Sequence, residues 1–117
     1  MPGEPQDDCL FCKIVGGHVP ATIVRETETT VAFRDINPQA PTHVLVIPKA
    51  HHETAAVLAA AAPELAAAVL RETQAVADDE KLESYRTVFN TGSGAGQTVW
   101  HAHAHVIGGR GLHWPPG

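Results

Sequence analysis

Three histidines alternate with alanines near the C-terminus, in the segment His101-Ala102-His103-Ala104-His105. On a β-strand, residues two apart point to the same face, at intervals of roughly 6.5–7 Å. The three imidazoles are therefore expected on one face and the two alanines on the other. Imidazole is polar and titrates near neutral pH, so three on one face favour phosphate contact, metal binding or catalysis over a place in the core.

Two other interpretations of the three histidines are weaker. An affinity-tag remnant is usually contiguous and terminal, whereas this run is interleaved and followed by a sequence typical of a folded segment. A metal site that uses all three is strained, because neighbours along one strand do not converge easily on one ion. Catalysis is the favoured interpretation.

A glycine-rich segment, residues 92–98, directly precedes the histidines. Glycines at 92, 94 and 96 permit a positive φ and let backbone N–H groups approach a ligand closely, as in loops that bind phosphate. A short glycine-rich loop by itself is more often a hairpin turn. Its place before three histidines raises the expectation of a phosphate site.

Cys9 and Cys12 are the only cysteines of the chain, and they lie three positions apart. In a reducing compartment, this spacing favours a metal or redox role over a structural disulfide. A closed tetrahedral zinc site would need two further ligands.

The composition predicts one compact domain. The chain has 117 residues, 44% of them hydrophobic, and a net charge of −5 without a basic tract, which argues against a nucleic-acid partner. No segment reaches the roughly 18 apolar residues of a membrane span, and the N-terminus lacks the pattern of a signal peptide. We therefore expect a cytoplasmic location and no membrane partner. Residues 1–8, with two prolines and three acids, are expected to be flexible, and residues 9–117 to form the single domain.

The order of the predicted elements indicates an α+β domain. Alternating β-branched residues predict a hairpin, a third strand ending at Pro48, and two later strands. The predicted strands cover residues 20–26, 30–36, 42–48, 84–90 and 99–107. Between the third and the fourth, Ala, Leu and Glu predominate, and Pro63 is expected to begin the main helix. Its predicted buried stripe contains Leu65, Val69, Leu70, Thr73 and Val76. An antiparallel sheet covered on one face by this helix is the expected architecture.

Several of these motifs resemble one known family. Residues 96–110 resemble the histidine-triad signature, in which three histidines alternate with apolar residues and two further apolar residues follow. Residues 35–49 are similar to an upstream block of the same family. Residues 9–15 and the terminal Trp-Pro-Pro-Gly of residues 114–117 resemble its Hint branch. The chain is thus identified as a member of the histidine-triad (HIT) family, and the resemblance covers nearly all of it, from residue 9 to residue 117.

The resemblance implies a fold and an activity. The HIT-like fold is an antiparallel sheet of about five strands with one long helix and a short helix, and it forms a homodimer. The Hint branch implies hydrolysis of the P–N bond of purine nucleoside 5′-phosphoramidates through a nucleotidyl–histidine intermediate. The alternatives are a hydrolase of dinucleoside polyphosphates or adenylates, and a non-catalytic nucleotide-sensing interaction protein. No organic cofactor is implied.

The resemblance also assigns roles to individual residues. His103 would be the nucleophile, with His105, His43, His101 and Thr98 as further catalytic residues. The implied nucleotide-binding residues are Asp35 on the ribose; Phe33, Ile36 and Ile14 on the base; Asn90, Gly96 and Gln97 near the phosphate; and Trp114 near the active site across the dimer interface.

For four of these residues, an ordinary structural role is an alternative to the functional one. His43 taken alone is more often a hydrogen-bonded sheet residue than a catalyst. Asp35 could simply initiate the turn that follows it. Phe33 and Ile36 are as typical of a core as of a base-binding site.

Some relatives of the family suggest how the cysteine pair is completed. They supply one histidine after the segment equivalent to Pro48-Lys49 and another from the triad, which here are His51 and His101. The resemblance therefore implies a structural Zn²⁺ site of Cys9, Cys12, His51 and His101, in which His52 could replace His51. Two reduced structural thiols are the alternative, since other relatives lack zinc.

Overall fold

The structure, a computed structural model, describes residues 3–117 and contains one antiparallel sheet with helices on both faces. The helices are α1 (Leu10–Val15), α2 (Ala55–Ala61) and α3 (Pro63–Asp79). The strands are β1 (Ile23–Glu26), β2 (Thr30–Arg34), β3 (Thr42–Pro48), β4 (Tyr85–Val88) and β5 (Ala104–Gly108), in the sheet order β1-β2-β3-β5-β4. The predicted α+β fold with a five-stranded antiparallel sheet is confirmed, and two short helices accompany the long one where one was expected.

The last strand begins later than predicted. The sequence placed it over residues 99–107, but β5 starts at Ala104, so His101 and His103 precede it. The N–H of Ala102 donates to the carbonyl of His52 at 2.7 Å, rather than to a neighbouring strand. This tertiary hydrogen bond replaces sheet pairing in the segment that carries two of the three histidines.

The two faces of the sheet carry separate apolar clusters. Along β3, Val44 and Val46 pack with residues of α2 and α3, whereas Leu45 and Ile47 pack with α1 on the opposite face. This alternation is what a strand buried on both faces requires. Leu45 pairs in register with His105 on β5, which places that imidazole on the α1 face. Helix α1 is short, so it covers only part of this face.

Helix α3 begins at Pro63 as predicted and buries one stripe against the sheet. Val69, Thr73, Val76 and Ala77 are buried, whereas Leu70 is 53% exposed. The expectation that Leu70 belongs to the buried stripe is wrong. Leu70 points about 100° away from Val69, at the edge of the buried stripe, and its side chain stays exposed there.

A bidentate ion pair joins β2 to the residue that follows α3. Arg34 donates from Nη1 and Nη2 to the two carboxylate oxygens of Glu80, at 2.8 and 3.2 Å. The hydroxyl of Thr42 also donates to Glu80, and the Arg34 hydrogen bond is the main cause that lowers the pKa of this carboxyl. The pair anchors the end of β2 beside Asp35, the next residue of the chain.

Several expectations about the chain as a whole stay predictions. Met1 and Pro2, part of the expected flexible segment of residues 1–8, lie outside the described residues. Gly3 pairs with His51 through two backbone hydrogen bonds of 3.1 Å. Within residues 3–117, no helix is long and apolar enough to cross a membrane. The single domain over residues 9–117 and the cytoplasmic location remain expectations.

Candidate active site and metal centre

Three imidazoles lie together on the α1 face of the sheet. The ring centroids of His103 and His105 are 5.0 Å apart, and those of His43 and His105 are 5.2 Å apart. The edge of Phe11, from α1, meets the ring of His103 at a centroid distance of 5.0 Å. The upstream His43, which its strand alone would not single out, therefore belongs to the same cluster as two members of the triad.

The hydrogen bond of His103 determines which of its nitrogens carries a lone pair. Its Nδ1 lies 2.8 Å from the carbonyl oxygen of His101, which can only accept, so Nδ1 carries the proton. The neutral ring then presents an unprotonated Nε2. Burial lowers the pKa of His103 from its ordinary value, which favours the neutral ring. His103 therefore has the protonation state of a nucleophile.

The tautomers of His43 and His105 follow from a backbone amide. The N–H of Gln39 donates to Nδ1 of His43 at 3.0 Å, so the proton of a neutral His43 is on Nε2. That Nε2 lies 2.9 Å from Nδ1 of His105 and donates to it. The proton of His105 must then be on its own Nε2. A chain of two hydrogen bonds thus makes Nε2 of His105 a donor.

This donor is buried and lacks a hydrogen-bond partner among the described residues. A buried polar group without a partner costs roughly 1–3 kcal/mol, and a ligand atom that accepts from it would remove that cost. Burial, followed by the nearby charges of His103 and His43, lowers the pKa of His105 to about 4. The ring is therefore a neutral donor at neutral pH, and a phosphoryl oxygen is a suitable acceptor.

Asp35 lies at the edge of the imidazole cluster. Its Oδ1 accepts the N–H of Asn37 at 2.8 Å, which confirms that it initiates the turn after β2. Its Oδ2 lies 3.4 Å from Nε2 of His43. Binding of the ribose hydroxyls by Asp35 stays a prediction.

The glycine-rich loop is held by its own side chain and amides. The buried Gln97 accepts the N–H of Gly92 on Oε1 at 2.9 Å and donates from Nε2 to the carbonyls of Glu53 and Val99. The backbone amides of Gly96 and Gln97, which the resemblance assigns to phosphate, donate within the loop to Ser93 and Gly92. Gln97 thus shapes the loop, and the phosphate contacts predicted for the amides of Gly96 and Gln97 stay predictions.

The other residues predicted to bind nucleotide divide into three groups. Phe33 and Ile14 are buried together in the cluster on the α1 face. Asn90 lies beside Gly96, where an added Cβ would be 4.0 Å from the Asn90 amide nitrogen. The side chains on the surface are those of Thr98, Ile36 and Trp114, of which Ile36 is 100% exposed. Their roles stay predictions.

Phe11 is the site residue that the sequence reasoning did not single out. It contacts the rings of Phe33, His101 and His103, at centroid distances of 5.4, 5.9 and 5.0 Å. Its place between Cys9 and Cys12 was the available signal, because a residue between two metal ligands is held near the metal.

The second cluster of functional side chains brings the four predicted metal ligands together. The ligand atoms of Cys9, Cys12, His51 and His101 all lie within 4.8 Å of one another. His51 rather than His52 completes the set: its Nδ1 lies 3.3 Å from Sγ of Cys12, and it is the histidine after Pro48-Lys49 whose ligand atom clusters with the other three.

The separations of the donor atoms fit a tetrahedral ion. Zinc bonds of about 2.3 Å to sulfur and 2.0–2.1 Å to nitrogen place neighbouring S and N atoms about 3.5 Å apart. Nδ1 of His101 lies 3.4 Å from Sγ of Cys9 and 3.5 Å from Sγ of Cys12. Two thiols and two imidazoles form the Cys₂His₂ set of a structural zinc site.

Hydrogen bonds around this cluster prepare it for a cation. Nε2 of the fully buried His101 donates to the carbonyl of Pro48 at 2.7 Å, so Nδ1 is unprotonated and faces the sulfur atoms. Backbone amides donate to both sulfur atoms, from Gln6 to Cys12 and from Cys12 to Cys9. Burial raises the pKa of the Cys12 thiol and lowers that of His101 to about 4. A bound cation would favour the thiolate form of Cys12. It would also bind the Nδ1 lone pair of the neutral His101 ring.

A further group of possible ligands, Asp35, His43 and His105, does not fit a metal. Their ligand atoms also lie within 4.8 Å of one another. However, Nδ1 of His43 accepts the N–H of Gln39, so Nε2 must keep its proton unless the ring becomes an imidazolate. That proton is where a metal would have to bind. The group is a hydrogen-bond relay, in contrast to the cysteine cluster.

The family model that describes the HIT domain matches residues 17–112 of this chain. The chain belongs to the HIT family. A HIT-like protein of Synechococcus elongatus is 47% identical over 112 residues, which cover 95% of this chain and 98% of that protein. A 14 kDa zinc-binding protein of Zea mays is 44% identical, over 92% of this chain and 87% of its own. The crystal structure of a HIT family hydrolase from Legionella pneumophila superposes with a TM-score of 0.90 at 50% identity, over 94% of this chain and 100% of that one.

These relatives bear on two of the predictions. The HIT fold is confirmed by the structural match, and the HIT resemblance is confirmed by the family model. The four predicted zinc ligands are clustered here, and relatives in Zea mays and Brassica juncea are named 14 kDa zinc-binding proteins. His101, predicted both as a catalytic residue and as a metal ligand, has its ring beside the two cysteines and its carbonyl against Nδ1 of His103.

Proposed function

We propose that this HIT protein hydrolyses purine nucleoside 5′-phosphoramidates to a nucleoside monophosphate and an amine. The observation that carries the proposal is the tautomer of His103, whose Nδ1 proton is held by the His101 carbonyl so that Nε2 is free to attack phosphorus. The 50% identity to a HIT family hydrolase supports the broader class of hydrolase.

The first step forms a bond between Nε2 of His103 and the α-phosphorus and breaks the P–N bond of the substrate. The departing nitrogen takes up one proton from solvent and leaves as an amine. The imidazole becomes positively charged because it keeps its Nδ1 proton, and the carbonyl of His101, 2.8 Å away, stabilises that charge. A neutral imidazole serves both as a nucleophile and, later, as a leaving group.

The second step returns His103 to its starting state. Water attacks the same phosphorus, the bond from phosphorus to Nε2 breaks, and the nucleoside monophosphate leaves. Water releases one proton, which balances the proton that the amine took up. The net reaction is the hydrolysis of one P–N bond without any other reactant.

His105 supports both steps as a hydrogen-bond donor to a phosphoryl oxygen. Its Nε2–H is buried, unpartnered among the described residues and adjacent to the nucleophile. Such a donor stabilises the charge that develops on oxygen in the transition state, since it is already oriented. His43 acts through His105: it accepts from Gln39 and donates to His105, which fixes the donor.

The structural Zn²⁺ would be held by Cys9, Cys12, His51 and His101, and it would supply cross-linking of the N-terminal segment to the sheet. It has no direct part in the proposed chemistry, because the Nδ1 lone pair of His101 faces the sulfur atoms.

A panel of substrates tests this proposal. We expect kcat/KM for an adenosine 5′-phosphoramidate to exceed that for a dinucleoside polyphosphate by at least about tenfold, which corresponds to about 1.4 kcal/mol in the transition state. The two substrates share the adenosine and differ in the leaving group. The reverse order would support the rival hydrolase of phosphoanhydrides. Tight binding of AMP without turnover of either substrate would support the nucleotide-sensing protein.

The same proposal includes a homodimer. Strand β4 is one edge of the sheet, so the β4 edges of two copies can pair and join their sheets into one surface. The C-terminal tail lies against this strand, because Arg86 of β4 donates to the carbonyl of His113 at 2.9 Å. Trp114, next in the chain, is 84% exposed in the single protomer and is available to a second copy.

Deletion of residues 114–117 is expected to change substrate preference more than stability. These residues are exposed, so the melting temperature should move by less than about 2 °C, as for other surface changes. The ratio of kcat/KM between two phosphoramidates with a small and a bulky amine should change severalfold. Unchanged kinetics with both amines would show that the tail has no part in the site.

A further inference from the structure

Two contacts connect the metal ligands to the segment that carries the nucleophile. His101 places its ring in the cysteine cluster and its carbonyl against Nδ1 of His103. The next residue, Ala102, donates its N–H to the carbonyl of His52, which adjoins the ligand His51. Residues 101–103 lie before β5, so sheet pairing does not hold them. Their position depends on these tertiary contacts.

We propose that metal binding at Cys9, Cys12, His51 and His101 orients the nucleophile, and that His101 is the positioning residue that joins the two sites. When the ring of His101 is ligated, its backbone carbonyl is fixed where it holds the Nδ1 proton of His103. The orientation of His103 follows from contacts within the chain, whereas its effect on turnover rests on the proposed function.

The ring of His101 is held at both nitrogens only when a metal is bound. Nε2 donates to Pro48 at 2.7 Å with or without a metal. Nδ1 can accept one hydrogen bond, and the available partners are two thiols at 3.4 and 3.5 Å, which are weak donors. A metal replaces these contacts with one bond of fixed length and direction.

A second contact of His103, with the ring of Phe11, also depends on a segment that carries metal ligands. Phe11, whose edge meets the ring of His103 at 5.0 Å, lies in the chain between the ligands Cys9 and Cys12. Cys9 is the N-cap of α1, so the ligands also fix the start of the helix that carries Phe11. The carbonyl and the aromatic edge that define the position of His103 therefore both belong to segments that the metal joins.

The test compares the His103 tautomer in zinc-loaded and chelator-stripped protein, by NMR of the imidazole nitrogens at one fixed pH. We expect a single tautomer with the proton on Nδ1 in the loaded protein and a mixture of both tautomers in the stripped protein. The readout requires no turnover, so it stands even if the phosphoramidase proposal fails. Identical tautomer populations in the two samples would overturn the inference.

Kinetics then separate positioning from binding. Because small misplacement of reacting atoms can cost up to about 100-fold, we expect stripping to lower kcat by about tenfold or more while the Kd for AMP changes by less than about threefold. A parallel loss of AMP binding would mean a general structural effect and would overturn the inference.

Two variants complete the test. Cys12→Ser removes one ligand and should reproduce the tautomer mixture, whereas Lys13→Ala, at the exposed neighbouring position of α1, should retain the Nδ1 tautomer. If both the stripped protein and Cys12→Ser are globally unfolded by amide NMR spectra, the metal acts through the whole fold, and the proposed local link is wrong.

Discussion

Replacement of His103 by alanine is expected to lower kcat for an adenosine 5′-phosphoramidate by roughly 10²–10⁴-fold or more. That range is the contribution of a general acid–base group, and the loss of a nucleophile can cost more than this. The reason is that no other imidazole nitrogen of the cluster is free to attack. Nδ1 of His105 accepts from His43, and Nε2 of His105 carries the proton. The measurement is steady-state release of amine by both proteins.

His18→Ala is the matched control for this substitution. His18 is an exposed histidine outside the imidazole cluster, so its loss should leave kcat unchanged. AMP binding should persist in His103→Ala, because the proposed base and ribose contacts come from other residues. Equal rates of turnover for His103→Ala and the wild type would contradict the assignment of the nucleophile.

Removal of the metal is expected to have the second largest effect, on stability. A metal present at 1,000 times its Kd stabilises the folded state by about 4 kcal/mol, and each kcal/mol corresponds to about 4 °C for a domain of this size. We therefore expect the melting temperature to fall by about 15 °C on chelation. The ligands join α1, the segment after β3 and the segment before β5, which are distant in sequence.

Cys12→Ser should show the same loss without chelator, together with a loss of bound zinc measured by elemental analysis. Lys13→Ala should keep both the zinc and the melting temperature, since its side chain is exposed. A melting temperature that does not change with zinc concentration would contradict a metal centre, because any ligand specific to the folded state raises it.

The sequence predicted the parts of the fold that depend on local pattern. Strand β3 has the predicted bounds, residues 42–48, because its run of Val, Leu and Ile is continuous and Pro48 ends it. Helix α3 begins at Pro63, since proline suits the first helical position. The pairing of Leu70 with Val69 in one buried stripe was wrong: Leu70 points about 100° away from Val69 and is 53% exposed, although the adjacent residues Val76 and Ala77 are both buried.

The start of β5 could not be predicted, because it depends on a contact between distant segments. Residues 99–103 have the alternation of a strand, but the N–H of Ala102 donates to His52 instead. The consequence for the site is large. His101 turns its ring toward the cysteines of α1, while its carbonyl meets His103, a division of roles that alternation alone does not indicate.

The sequence predicted which residues lie in the candidate site better than it predicted the hydrogen bonds that each residue makes there. His43 and His105 meet, as the resemblance implies, yet the direction of their hydrogen bonds depends on the amide of Gln39, which no side-chain motif reveals. The phosphate contact expected of the Gln97 backbone amide stays a prediction, and the buried side chain of Gln97 has a role that the motif does not show, since it joins Gly92 to Glu53 by hydrogen bonds. Such roles arise from backbone geometry, which a motif does not specify.

Detection of the covalent nucleotidyl–histidine intermediate is the most direct test of the proposed mechanism. The protein is mixed with excess adenosine 5′-phosphoramidate, quenched with base during turnover to protect the acid-labile P–N bond, and digested for mass spectrometry. The proposed mechanism predicts an adenylyl group on His103, present in the wild type and missing from His103→Ala. Turnover by the wild type with no adduct on His103, or with the adduct on another residue, would contradict it.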